Sequence, residues 1–126
     1  MSEESPDVAA AVRRGARLFN LGRYLAAHEV WEETWRAAAD EDRSFLEALV
    51  QLAAGLHLRT RRGGMRGAEH LLSQSLVTLE EFRPARHALD VDRLVTEFGA
   101  YVDWVRALKR PHKVLDGARI PRLRWV

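Results

Sequence analysis

Apolar side chains along this chain return every third or fourth position and almost never alternate with polar ones. Between Arg66 and Phe82 the recurring set is Ala68, Leu71, Leu72, Leu76, Leu79 and Phe82. Farther on it is Val91, Leu94, Val95, Phe98, Tyr101, Val102 and Val105. That is the period of a single helix face. Alternating Val/Ile/Thr runs are missing, and no Asn-Gly or Asp-Gly pair joins two such runs as a hairpin, so strands are not expected.

Five helices are predicted. The first runs from about Asp7 to Leu21 and stops at Gly22. The second covers Tyr24 to Ala38 and is closed by the acidic "DED". The third starts at a Ser44 N-cap, with Glu47 in the capping-box position, and runs to about Arg61 before Gly63 and Gly64. The fourth spans Arg66 to Phe82, with Pro84 beyond it. The fifth starts at Asp90 or Asp92 and reaches about Lys109, where Pro111 ends it.

The third segment differs from the others. From Phe45 to Leu58 only Glu47, Gln51 and His57 are polar, and a helix apolar all round is buried all round. It belongs at the centre, with the others packed about it as hairpins. The fold class is therefore all-α: a compact bundle of about five helices in one domain, residues 1–126. Residues 1–6 are expected to be disordered. Residues 112–126, with Gly117 and Pro121, are expected to form an extended tail on the bundle, docked through Trp125 there or on a neighbouring subunit.

Composition narrows the class. At 126 residues, 47% hydrophobic and 30% charged, the chain has the make-up of one globular domain and not of a disordered one. Charges interrupt every apolar segment, so no membrane span is expected. The start "MSEESPDVAA" is acidic where a signal peptide needs a positive charge and then an apolar run, so the cytoplasm is the default. Without cysteine there is no disulfide framework, thiolate metal site or thiol nucleophile.

Candidate chemistry gathers in "YLAAHEVWEETW", residues 24–35. Tyr24, Trp31 and Trp35 define one direction of that helix, and His28 and Glu32 lie four apart on its flank. Glu29, Glu33 and Arg36 fall on the far side. A buried carboxylate needs a partner, a proton or a cation. Three readings follow, in order of support. The first is a polar network in which Tyr24, His28, Glu32, Gln51 and His57, beside Trp35, satisfy one another. The second is a metal ion held by His28 and Glu32, with further ligands from another helix. The third is acid–base work by the same pair. His70, His87 and His112 are given no role.

These residues carry a resemblance. "LFNLGRYLAAHEVWEETW" (18–35), "FLEALVQLAAGLHL" (45–58) and "RGGMRGAEHLL" (62–72) resemble domain-of-unknown-function family 309, small and mostly prokaryotic helical proteins. Asn20, Gly22, Tyr24, His28, Glu29, Glu32, Trp35, Gln51, His57, Gly67 and Ala68 match its pattern. Leu58 stands where a second His is usual, and Gly64 where an Asn is usual. The resemblance implies an all-helical fold and no assigned activity.

Charge adds a last alternative. Residues 1–57 carry a net −4 and residues 58–126 a net +6, giving the overall +2. The basic segments are "RTRRGGMR", with Arg59, Arg61, Arg62 and Arg66, and "RIPRLR". Neither shows aromatic interleaving or a nucleic-acid motif, so weak nucleic-acid binding ranks below a helical interaction module that meets a second copy or another protein. No cofactor is expected apart from the possible metal ion.

Overall fold

The computed structural model describes residues 7–62, 66–108 and 119–126. Five α-helices make up most of them: α1 (Val8–Asn20), α2 (Tyr24–Ala37), α3 (Asp40–Arg62), α4 (Arg66–Leu79) and α5 (Val91–Ala107). Each helix packs on its successor, and α3 lies between α2 and α4. The result is the all-α hairpin bundle that the periodicity predicts.

Local chemistry explains several boundaries. The Asp7 carboxylate accepts from the Ala10 N–H at 3.0 Å and caps α1. At the other end Gly22 takes φ 79°, with its N–H bonded to the Phe19 carbonyl and the Arg23 N–H to the Leu18 carbonyl. This is a Schellman stop. A Cβ at Gly22 would touch nothing, so glycine is required there by the backbone angle alone. Asp90 caps α5 by accepting from the Arg93 N–H at 3.0 Å.

The third helix begins earlier than its sequence suggests. Ser44 lies inside α3, which starts at Asp40 and carries Asp40, Glu41 and Asp42 in its first turn. Three carboxylates at the positive end of the helix dipole favour this earlier start, so the residues read as a closing loop are the opening turn. Phe45, Leu46, Ala48, Leu49, Leu52, Ala53 and Leu56 are fully buried, which makes α3 the central helix. Its coverage has one gap: Val50, Gln51, Ala54, His57 and Leu58 are half-buried and Glu47 is exposed. These positions recur at the helical period, and two flanking helices leave that stripe open.

Strands absent from the sequence reading are present in miniature. After α4 a 3₁₀ turn (Glu80–Phe82) leads into β1 (Ala85–Arg86) and antiparallel β2 (Leu89–Asp90). Their connection, His87-Ala88, has φ 50° and 65°, the signs a type I′ turn needs. Neither residue is the usual Asn or Gly, which removed the sequence signal. The C-terminal segment lies along β2: Asp90 N–H bonds the Arg124 carbonyl, Val126 N–H bonds the Ala88 carbonyl, and Leu89 bridges Trp125. Leu123, 3% exposed, is the side chain buried by this docking, whereas Trp125 is 41% exposed. The expectations for residues 1–6, for Gly63 and Gly64, and for residues 109–118 fall outside the described residues.

Candidate functional site

Helix α2 presents two stripes. Tyr24, Ala27 and Trp31 are buried; the Tyr24 ring meets Phe19 edge-on at 5.0 Å, and Trp31 is completely enclosed. The indole fits only because α1 has Gly15 opposite it, where a Cβ would overlap the ring. The second stripe holds His28, Glu32 and Arg36. His28 Nε2 lies 3.9 Å from Glu32 Oε2, and Arg36 Nη2 lies 3.6 Å from Glu32 Oε1. The His28 and Glu32 side chains are 24% and 41% exposed, so the carboxylate is at the surface. Arg36, expected on the far side, reaches back to it one turn on. Exposed pairs of this kind contribute about 0–1 kcal/mol each.

Five of the six candidate residues separate into two depressions between α2 and α3. Glu32, Trp35 and Gln51 line a cavity of about 180 Å³ with Glu47 and Val50, and Arg43 stacks over the Trp35 ring at 4.6 Å. Tyr24 and His57 line a wider one of about 480 Å³ with Arg23, Leu25, Glu29 and Arg61. His28 lines neither and stands one turn from each. Among the described residues no three His, Asp or Glu gather as a metal ion would require.

The basic segment before α4 is divided too. Arg59 is 3% exposed, because it continues the inward row of Leu52 and Leu56. Arg61 is exposed beside His57. The side chains of Arg62 and Arg66 lie outside the described residues.

Two constellations were not among the candidates. In the first, Asp42 Oδ1 accepts from Arg86 Nη2 at 2.8 Å and Nε at 3.2 Å, and His87 Nε2 lies 2.8 Å away. Arg86 Nη1 also reaches Glu41 at 3.3 Å, and its guanidinium lies over the Phe82 ring. Burial of Asp42 works to raise its pKa, but the hydrogen bonds and charges of His87 and Arg86 together outweigh it and leave the pKa lowered. The Arg86 pKa is raised, first by its bond to Asp42. This clamp fixes the β-hairpin to the first turn of α3.

The second lies where α1 ends. The Asn20 amide donates to the Leu123 carbonyl at 2.9 Å and its oxygen accepts from the Leu123 N–H at 2.8 Å, which pins the C-terminal segment. A cavity of about 520 Å³ opens beside it, lined by Arg13, Arg17, Asn20, Leu21, Arg122 and Trp125.

Residues 12–71 match the family described as Domain of unknown function (DUF309). This segment is similar to the DUF309 family. No curated protein matches the chain. The DUF309 segment holds α1 from Val12 onward, all of α2 and α3, and the start of α4. Both depressions between α2 and α3 fall within it. The hairpin, α5 and the C-terminal segment lie beyond it, so the Asp42 clamp and the Asn20–Leu123 pair each join the DUF309 segment to the rest of the chain. Asn20, which matches the family pattern, holds a segment from outside the matched residues. No local signal reveals these partners, because they stand 44 to 103 residues apart.

Proposed function

We propose that this protein is a non-catalytic interaction module, in which the His28–Glu32–Arg36 row orders the surface of α2 and a partner docks where the α1–α2 turn meets the C-terminal segment. The observation that carries the reading is the position of the exposed apolar side chains. Leu21 is 68% exposed, Leu25 48%, Trp125 41% and Val126 74%. Leu21 shares a cavity with Trp125, and Leu25 lines another on the far side of the Gly22 turn. Large exposed apolar groups that line neighbouring depressions mark a contact face more often than scattered ones do. A metal ion or acid–base centre at His28 and Glu32 has less support, since the pair is only half-buried and lacks a third ligand among the described residues.

Val77, 69% exposed on α4, supplies an internal control. A photo-crosslinking amino acid in place of Leu21 is expected to yield a discrete adduct in cells, and the same group in place of Val77 none. Equal labelling at the two positions, or none at either, would overturn the proposed face.

A further inference from the structure

The cavity at the end of α1 has an unbalanced charge. Arg13 and Arg17 stand one turn apart on α1, Arg122 lines the same cavity from the C-terminal segment, and all three are exposed. Elsewhere Arg36, Arg83, Arg86, Arg93, Arg106 and Arg124 each lie within ion-pair distance of a carboxylate. Among the described residues Arg13, Arg17 and Arg122 have no such partner; Arg14, Arg23, Arg43, Arg61 and Arg119 have none either, but Arg13, Arg17 and Arg122 line one cavity in which no carboxylate stands. Three like charges around one depression repel one another, and an anion from outside relieves that repulsion.

The rest of the wall narrows the kind of anion. The Asn20 amide is committed to the Leu123 backbone, so it adds no free polar group. Trp125 contributes an indole that is 41% exposed, held by the bridge to Leu89. An aromatic ring fixed by its backbone loses little freedom when another ring stacks on it. A second cavity of about 450 Å³ shares Arg122 and adds Arg119 and Arg124, extending the cationic surface along the segment. Glu97 lies in that second cavity and pairs with Arg124 at 3.7 Å, so the first cavity is the stronger site.

We propose that this strip binds single-stranded nucleic acid, with phosphates on Arg13, Arg17 and Arg122 and an unpaired base stacked on Trp125. Guanidinium groups match phosphate oxygens in pairs, and exposed aromatic rings within a cationic groove are how single strands are held without sequence readout. A duplex keeps its bases stacked on one another and offers Trp125 no free face. A lone nucleotide leaves the neighbouring cavity unused. The inference rests on the contact-face reading above and names its partner.

The test is fluorescence anisotropy of a labelled oligothymidylate dodecamer with the full chain at low salt. Arg17→Glu and Arg122→Glu are each expected to weaken binding about tenfold, and Trp125→Ala about tenfold, with Trp125→Phe near wild type because a ring is retained. Arg14→Glu makes the same charge change on the same helix outside the cavity and is expected to bind as wild type. Three phosphate contacts imply roughly a twentyfold loss between about 50 and about 200 mM salt. Absence of binding at low salt overturns the proposal, as do an equal loss in Arg14→Glu, wild-type binding by Trp125→Ala, or equal competition by a duplex of the same length. A Leu21 adduct without oligonucleotide binding removes nucleic acid as the partner and leaves the contact face standing; loss of both removes the two together.

Discussion

Gly15 and Gly99 both occupy helix interiors, where alanine is ordinarily the better residue by about 1 kcal/mol. Their surroundings reverse that rule at one position only. A Cβ at Gly15 would collide with the buried Trp31 indole, whereas one at Gly99 would meet nothing within 4 Å. Gly15→Ala is therefore expected to destabilise the protein by about 1–3 kcal/mol, the usual cost of overfilling a core, and Gly99→Ala to stabilise it by up to about 1 kcal/mol. Urea melts of the two variants against wild type check both signs. The same contrast applies to His28 and Glu32. Their spacing was plain in the sequence, but their exposure depended on how far α3 covers the flank of α2, and α3 leaves it partly open.

Between elements, the Asp42 clamp is the contact with the clearest pH signature. Asp42 faces Arg86 and His87, and Arg86 also reaches Glu41; the Asp42 pKa in the folded protein is lowered from the ordinary value of 3.8. A carboxylate with a depressed folded pKa contributes stability that is complete above its unfolded pKa and disappears as the pH falls through the folded one. Acid should therefore loosen the hairpin below about pH 4. Asp42→Asn is expected to be less stable than wild type at neutral pH, with the gap narrowing as the pH drops through that window. Thermal melts across an acid pH series read this directly, and a gap that stays constant with pH would contradict the assignment. The clamp also accounts for the turn at His87-Ala88. Left-handed backbone costs non-glycine residues roughly 1–2 kcal/mol each, and the Asp42 contact to His87 offsets part of that.

Across the molecule, a run of aromatic rings joins the helices of the DUF309 segment to α5. Phe19 meets Trp31 at 6.1 Å and Phe98 at 5.9 Å; Phe98 continues to Tyr101, and Tyr101 to Trp104. Phe19 and Phe98 are both essentially inaccessible to solvent, so the matched segment does not enclose its own core. A fragment ending at Phe82 is expected to retain helical far-ultraviolet dichroism but to bind a hydrophobic dye and lose the sharp thermal transition of the full chain. A cooperative melt of the fragment at the full chain's temperature would show that α5 is dispensable. Among the described residues no helix is long and apolar enough to cross a membrane, in line with the charges that interrupt each apolar stretch.

The helical class, the number of helices, the approximate starts near Asp7 and at Asp90 or Asp92, and the stop at Gly22 were readable from the chain, because each follows from neighbours within about one helical turn. The early start of α3 escaped that reading because acidic residues serve equally well as a loop and as a helix's first turn. What lay beyond reach was set by contacts across long separations: Asp42 with His87, 45 residues apart, and Asn20 with Leu123, 103 apart. Tyr24, His28, Glu32 and Trp35 shared one side of α2 in the sequence, but the packing of α2 on α3 put Tyr24 in one depression, Glu32 and Trp35 in another, and His28 in neither. Conversely, three arginines and a tryptophan with no pattern in common came to line one cavity, since only the folded path of the C-terminal segment carries Arg122 and Trp125 to the end of α1. Periodicity encodes which side of a helix is wet, and packing settles which wet sides meet.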